Sequence, residues 1–199
     1  MKTAIILIAA LAVGFGAGWF SKPVPITEPD SPQGGAEVAI PEPEPVKAGE
    51  YVFPIAAEDY KMKTSPFGVR VSPILHVEKR HIGLDICGIW QAQVVAVADG
   101  VVVNHWLPPG TKRGGKTYEG HKVYGGMIHV LHDDGAESIY AHLSRTYVRE
   151  EQRVRAGQVI GRQGKTGMAK GEHLHFELLI DGEPVNPILY LPDMEEGRR

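Results

Sequence analysis

Three short stretches hold side chains able to bind a metal or move a proton. In Gly171-Glu172-His173-Leu174-His175-Phe176-Glu177, two histidines flank one leucine, and Phe176, Leu178, Leu179 and Ile180 favour a strand. Side chains alternate faces in a strand, so His173, His175 and Glu177 point the same way. Two imidazoles side by side on a rigid strand make either a metal and acid–base site or a polar outer face. In Arg80-His81-Ile82-Gly83-Leu84-Asp85-Ile86, an imidazole and a carboxylate stand four residues apart, with a glycine between them. Both groups are good zinc ligands, although such a pair alone is more often structural. In Tyr140-Ala141-His142-Leu143, His142 ends an apolar strand, where a lone histidine commonly fills an ordinary surface or core position.

The surroundings predict strands as the elements that position these groups. From Tyr51 onward, short runs rich in Val, Ile, Tyr and Phe alternate with turns: Val94 to Val97, Val101 to Val103, Met127 to Leu131, Ser138 to Tyr140, Val159-Ile160 and His175 to Ile180. Asp99-Gly100, Asp134-Gly135 and Asp181-Gly182 supply turn chemistry. No segment sustains a helical period, so the expected fold is all-β: a compact antiparallel sheet or sandwich domain over residues 51–193. Val148 to Arg155 reads equally as a brief helical turn or an irregular loop. Pro184 to Pro192 reads as a closing segment packed on the core, and 194–199 as a charged tail. The connection from Trp106 to Tyr124 is long for a compact β domain and carries Lys112, Arg113, Lys116 and Lys122. It is either a functional rim, whose lysines and arginine would attract acidic peptides, or a disordered insertion.

Composition narrows the class. The chain has 199 residues, 43% of them hydrophobic, enough for one domain with a proper core. A formal net charge of -3 gives no electrostatic reason to expect a nucleic-acid partner. The single cysteine, Cys87, excludes an intrachain disulfide framework and a cysteine-rich zinc module. Lys2 precedes an apolar run from Ala4 to Phe20, so residues 1–22 read as a signal peptide or a membrane anchor, an N-terminal apolar helix at the short edge of spanning length. Residues 23–50 are rich in proline and poor in large apolar side chains, which predicts a disordered, extended linker. At ~3.1 Å per residue, about thirty such residues reach on the order of 90 Å.

Taken in order, His81-x3-Asp85, His142 and His173-x-His175 resemble the M23 family of zinc metallopeptidases, the lysostaphin- and LytM-type peptidoglycan endopeptidases. The resemblance runs from about Ser65 to Leu191. It includes Ser65-Pro66-Phe67-Gly68-Val69-Arg70, Ala96-Val97-Ala98-Asp99-Gly100-Val101-Val102, Gly157-Gln158-Val159-Ile160-Gly161 and Pro184-Val185-Asn186-Pro187. It implies one zinc ion per chain, with His81, Asp85 and His175 as its ligands and His142 and His173 as the two catalytic histidines. It also implies the duplicated-hybrid-motif type of β fold. Two histidines and one aspartate leave a coordination position open, as catalytic zinc requires. There is no H-E-x-x-H glutamate, so the histidines must serve as acid and base. Glu177 is a further candidate for orienting a ligand, and Arg70 for a place near the cleft. A solvated carboxylate and a structural ion pair are the plain alternatives. His76, His105, His121, His129 and His132 fit no ligand spacing and read as surface or strand residues. Cys87 shares a strand face with Asp85, but the family places no ligand there, and a small buried residue is the expectation.

The resemblance implies a zinc-dependent endopeptidase acting on cross-links or stem peptides of bacterial peptidoglycan, in the cell envelope. Such a protein would be anchored in the inner membrane facing the periplasm, or exported. Some family relatives have lost the site residues and activate other cell-wall hydrolases, so an envelope regulator on the same fold is the alternative. A third reading is a carrier or phosphotransfer domain, because Val154 to Gly161 resembles segments of biotinyl and lipoyl domains; Lys61-Met62-Lys63 suggests an attachment site only superficially, since it precedes the main blocks of the β domain and does not sit in a hairpin.

Overall fold

The computed structural model describes residues 51–71 and 78–194. The apolar segment, the proline-rich linker, His76 and nearly all of the charged tail lie outside the described residues. Among those described, the fold is β throughout, and the only helical pieces are two short 3-10 turns, Ala57–Asp59 and Pro187–Leu189.

The main sheet has eight strands. In spatial order they are Tyr60–Ser65, Leu84–Gly88, Leu174–Ile180, Glu137–Leu143, Gly126–His132, Gly100–Trp106 and Arg153–Val154, with Glu183–Val185 also paired to Leu174–Ile180. Every pairing is antiparallel. A second sheet joins Arg145–Thr146, Val159–Arg162 and Gln93–Val95. Two separate hairpins complete the fold, Gly68–Val71 with Glu78–His81 and Lys112–Arg113 with Lys116–Thr117.

Local chemistry explains the turns. Asp181 and Gly182 both have positive φ, 53° and 76°, the backbone twist that a two-residue hairpin loop needs. Between Asp134 and Gly135, the Asp134 carboxylate accepts the Ala136 N–H at 3.0 Å and closes the loop. Val148 to Arg155 contains no helix: it turns at Glu150 and Glu151 and ends in the strand Arg153–Val154. The closing segment packs as expected, with Leu191 in the core and Val185, Ile188 and Tyr190 against it.

The core lies on one face of the main sheet. Leu174, Phe176 and Leu178 are fully buried there with Leu84, Ile86, Tyr140 and Leu143. Burial of each large apolar side chain contributes roughly 1.5–3 kcal/mol, so this face fixes the register of the central strands. The opposite face of the same strands carries Asp85, His175 and Glu177.

Candidate metal centre

Register brings the first two groups together. Asp85 and His175 are direct cross-strand neighbours, and Ala141 sits opposite His175 on its other side. His81 ends the neighbouring hairpin, paired with Gly68. Gly83 then lets the chain pass close to the His175 ring: a Cβ there would stand 2.6 Å from the Phe176 carbonyl oxygen and 2.7 Å from His175 Cε1. Only glycine fits that approach.

His142 reaches this face through an irregularity. By strict alternation from Tyr140, it would point into the core. The pairing with Gly126–His132 shifts register between Tyr140 and Leu143, and His142 has a left-handed φ of 62°. The extra residue reverses the alternation. Leu143 returns to the core beside Tyr140, and His142 turns towards His173 and His175, with ring centroids at 4.9 and 5.7 Å. A non-glycine residue held in this region stores of order 1–3 kcal/mol of strain, which the surrounding structure must offset. The His142 N–H donates to the Tyr124 carbonyl at 2.8 Å, and its Nδ1 meets the Thr166 carbonyl oxygen at 2.8 Å.

Three donor atoms converge. His81 Nε2 lies 3.1 Å from Asp85 Oδ1 and 3.2 Å from His175 Nδ1, and His175 Nδ1 lies 2.8 Å from Asp85 Oδ1. The outer nitrogens are already committed. His81 Nδ1 donates to the Pro66 carbonyl oxygen at 2.8 Å, and His175 Nε2 donates to Glu177 Oε1 at 2.9 Å. These bonds select tautomers whose other nitrogens are bare lone pairs. Two such lone pairs and a carboxylate oxygen then face a common point, an arrangement that needs a positive charge at its centre. Edges of 2.8, 3.1 and 3.2 Å are close to the ~3.3 Å expected for tetrahedral zinc with bonds of ~2.0–2.1 Å. The donor set therefore fits zinc, and these three residues could hold it.

Titration behaviour follows from the same crowding. Burial works to raise the Asp85 pKa, but hydrogen bonds and charge from His175 and His81 outweigh it and hold the carboxyl well below its usual range. Burial opposes charge on His175, yet its bonds to Asp85 and Glu177 push it up to about 9. A proton shared by this pair answers the same need that a divalent cation would. His142 moves the other way: burial, then the neighbouring His173 and His175, lower it to about 4. His173 presents Nε2 at 3.7 Å from Asp85 Oδ1, while its Nδ1 meets the Gly171 carbonyl oxygen at 2.9 Å.

All five site residues named from the sequence thus come together. Glu177 is 2% exposed rather than solvated, and it links His175 to the Tyr124 hydroxyl, which lies 2.8 Å from Glu177 Oε1. Tyr124 was not identified from the sequence. Its ring stacks on His175 with centroids 6.0 Å apart. The signal that marks it is a tyrosine directly before Gly125-Gly126, where a Cβ on Gly125 would collide with Thr166. Arg70 is exposed in the hairpin that carries His81, and no described contact ties it to the cluster. Cys87 is half-buried, with Sγ near backbone oxygens of Gly88 and Glu172 and outside the donor set. His132 is buried at 3% exposure, His105 meets Thr146, and His129 pairs with Glu137. Lys61-Met62-Lys63 lies inside the strand Tyr60–Ser65 and not at a hairpin tip, so it offers no attachment site of the carrier type.

The chain is thus an antiparallel β domain with a candidate metal site of two histidines and one aspartate, beside two more histidines. Residues 79–187 match peptidase family M23. The chain belongs to that family. It is 39% identical over 143 residues to the DD-carboxypeptidase/endopeptidase Mpg of Neisseria meningitidis, covering 71% of this chain and 29% of that protein. It is 40% identical over 112 residues to the murein hydrolase activator NlpD of Escherichia coli K12, covering 55% of this chain and 26% of that protein. Among solved structures, it resembles a zinc-containing peptidase from Vibrio cholerae with a TM-score of 0.58 and 28% identity, over 71% of this chain and 39% of that one. The chain spans about a quarter to a third of the length of the curated relatives it matches.

Proposed function

We propose that this chain is a zinc-dependent endopeptidase that hydrolyses peptides of bacterial peptidoglycan in the cell envelope. The observation that carries this reading is the convergence of His81 Nε2, Asp85 Oδ1 and His175 Nδ1, with both outer imidazole nitrogens already committed. Bound there, zinc would supply Lewis acidity that polarises a carbonyl and makes a water nucleophilic near neutral pH. The rest falls to the chain's own residues. His142 and His173 each tie Nδ1 to a backbone oxygen, which leaves Nε2 to face the reacting groups. Between them they take a proton from the attacking water and return one to the leaving amine as the C–N bond breaks. Glu177 holds the His175 ring in one tautomer and orientation, and Tyr124 holds Glu177.

Similarity to Mpg supports a peptide bond of the cell wall as the target, and similarity to NlpD supports an envelope setting. The NlpD likeness also favours a second reading, activation of other hydrolases without catalysis. The two separate in one experiment. The purified, zinc-loaded chain is incubated with muropeptides, and the products are weighed by mass spectrometry. The peptidase reading expects new amine and carboxyl termini, each product pair carrying one added water. Intact muropeptides from a chain that has taken up one zinc would remove it in favour of the activator.

A further inference from the structure

A cleft of about 1010 Å³ lies between the long connection after Trp106 and the turn at Arg149-Glu150. None of the five site residues lines it, yet a run of ring contacts joins it to His175. Trp106 meets His121 edge-on at 5.4 Å, His121 stacks on Tyr124 at 5.2 Å, and Tyr124 stacks on His175 at 6.0 Å. The connection is folded, with its own hairpin Lys112–Arg113 with Lys116–Thr117 and a bridge from His121 to Gly125. Of its four basic residues, only Lys122 lines the cleft. Attraction of acidic peptides by the whole set is therefore not what this wall offers.

What it offers is both signs of charge on an aromatic wall. Trp106 and Tyr118 are 43% and 37% exposed, so their rings remain open to a ligand. Glu119 and Glu150 line the same cleft, as do Lys122 and Arg149. His121 Nδ1 accepts the N–H groups of Val123 and Tyr124 at 3.3 and 3.1 Å, so its proton sits on Nε2 as a further donor. An ammonium group is recognised by carboxylates and ring faces together, and a carboxylate by Lys and Arg. A neutral sugar would use the rings but has no need of four charged groups.

We propose that this cleft binds the end of a peptide carrying both a free ammonium and a free carboxylate, and that it sets which peptide is presented to the metal centre. Only the presentation step rests on the peptidase reading. Binding to the cleft does not.

Calorimetry on the intact zinc-loaded chain tests this directly. The probes are a D-alanine-terminated tetrapeptide with a lysine at its third position, its form acetylated at both amines, its carboxyl-amidated form, and the neutral disaccharide N,N′-diacetylchitobiose. We expect the free peptide to bind about tenfold more tightly than either blocked form. The Glu119→Gln/Glu150→Gln pair should erase the advantage over the acetylated form, and Lys122→Gln/Arg149→Gln the advantage over the amidated form, with zinc content unchanged in both. Equal affinity for free and blocked peptides overturns the proposal, as does a preference that survives both double variants. Tighter binding of N,N′-diacetylchitobiose also overturns it and assigns the cleft to glycan. Discriminating binding without hydrolysis keeps the cleft and removes the peptidase reading. Hydrolysis without discrimination does the reverse.

Discussion

Two hydrogen-bonded clusters in this domain each hold buried histidine, and they differ in how the histidine lone pairs end. Around His132 every group finds a partner. The Val97 N–H donates to the Tyr140 hydroxyl oxygen at 2.9 Å, Tyr140 and Ser138 hydroxyls lie 3.0 Å apart, and Ser138 Oγ lies 2.7 Å from His132 Nε2. His132 Nδ1 closes the chain on the Asp99 carbonyl oxygen at 3.2 Å. If Tyr140 donates to Ser138 and Ser138 to His132, every polar hydrogen in the cluster has an acceptor. Around His81 and His175 the outer nitrogens are equally well satisfied, but the inner ones point at each other and at a carboxylate. A buried histidine with a closed set of bonds is structural, whereas one whose second nitrogen faces other acceptors needs a cation.

The largest expected difference comes from removing a donor at the open cluster. His175→Ala should abolish stoichiometric zinc uptake and hydrolysis together, read by metal analysis and muropeptide digestion. Next is His142, which should separate the two properties. His142→Asn tolerates the left-handed φ, so it should keep zinc and the fold while losing hydrolysis. Retained turnover would remove His142 from the mechanism.

Glu177→Ala frees the outer nitrogen of His175 and should weaken zinc binding by roughly tenfold to a hundredfold, measured by competition with a chelator. At the closed cluster, Ser138→Ala should destabilise the fold by about 1–3 kcal/mol in denaturant titration and leave zinc affinity unchanged. If it shifted zinc affinity as much as Glu177→Ala does, the distinction between the clusters would fail.

The smallest effect is in acid. Burial lowers the pKa of His132 below 6.5, against the opposing pull of the Asp99 and Ala98 carbonyls and of Asp134 and Asp133. The unfolded chain therefore takes up a proton that the folded one refuses. The stability contributed is complete above the unfolded value and is lost as pH falls through the folded one. His132→Gln should flatten that part of the stability–pH curve, and an unchanged acid slope would count against it.

Much of this was legible in the residues, for physical reasons. Period-two alternation puts Leu174, Phe176 and Leu178 on the core face and His173, His175 and Glu177 on the other, and the structure keeps that division. Strand positions such as Met127 to Leu131 fall inside Gly126–His132 because apolar burial leaves few alternatives. Alternation alone misleads at His142, because a bulge reverses its face and a local pattern carries no sign of one. Glu177 could be placed on the right face, but its burial depends on Tyr124, which arrives from fifty-three positions away. Pairings of that range depend on the whole fold. The cleft was equally hidden: the basic residues after Trp106 stand out in sequence, while Glu150 and Arg149 join it only through folding.

The central claim is that one zinc ion is held by His81, Asp85 and His175. Crystals of the chain grown with zinc, with diffraction recorded on both sides of the zinc absorption edge, test it most directly. The account predicts one strong anomalous peak within bonding distance of His81 Nε2, Asp85 Oδ1 and His175 Nδ1. A fully loaded protein whose peak lies elsewhere, or no peak at that point, would contradict it.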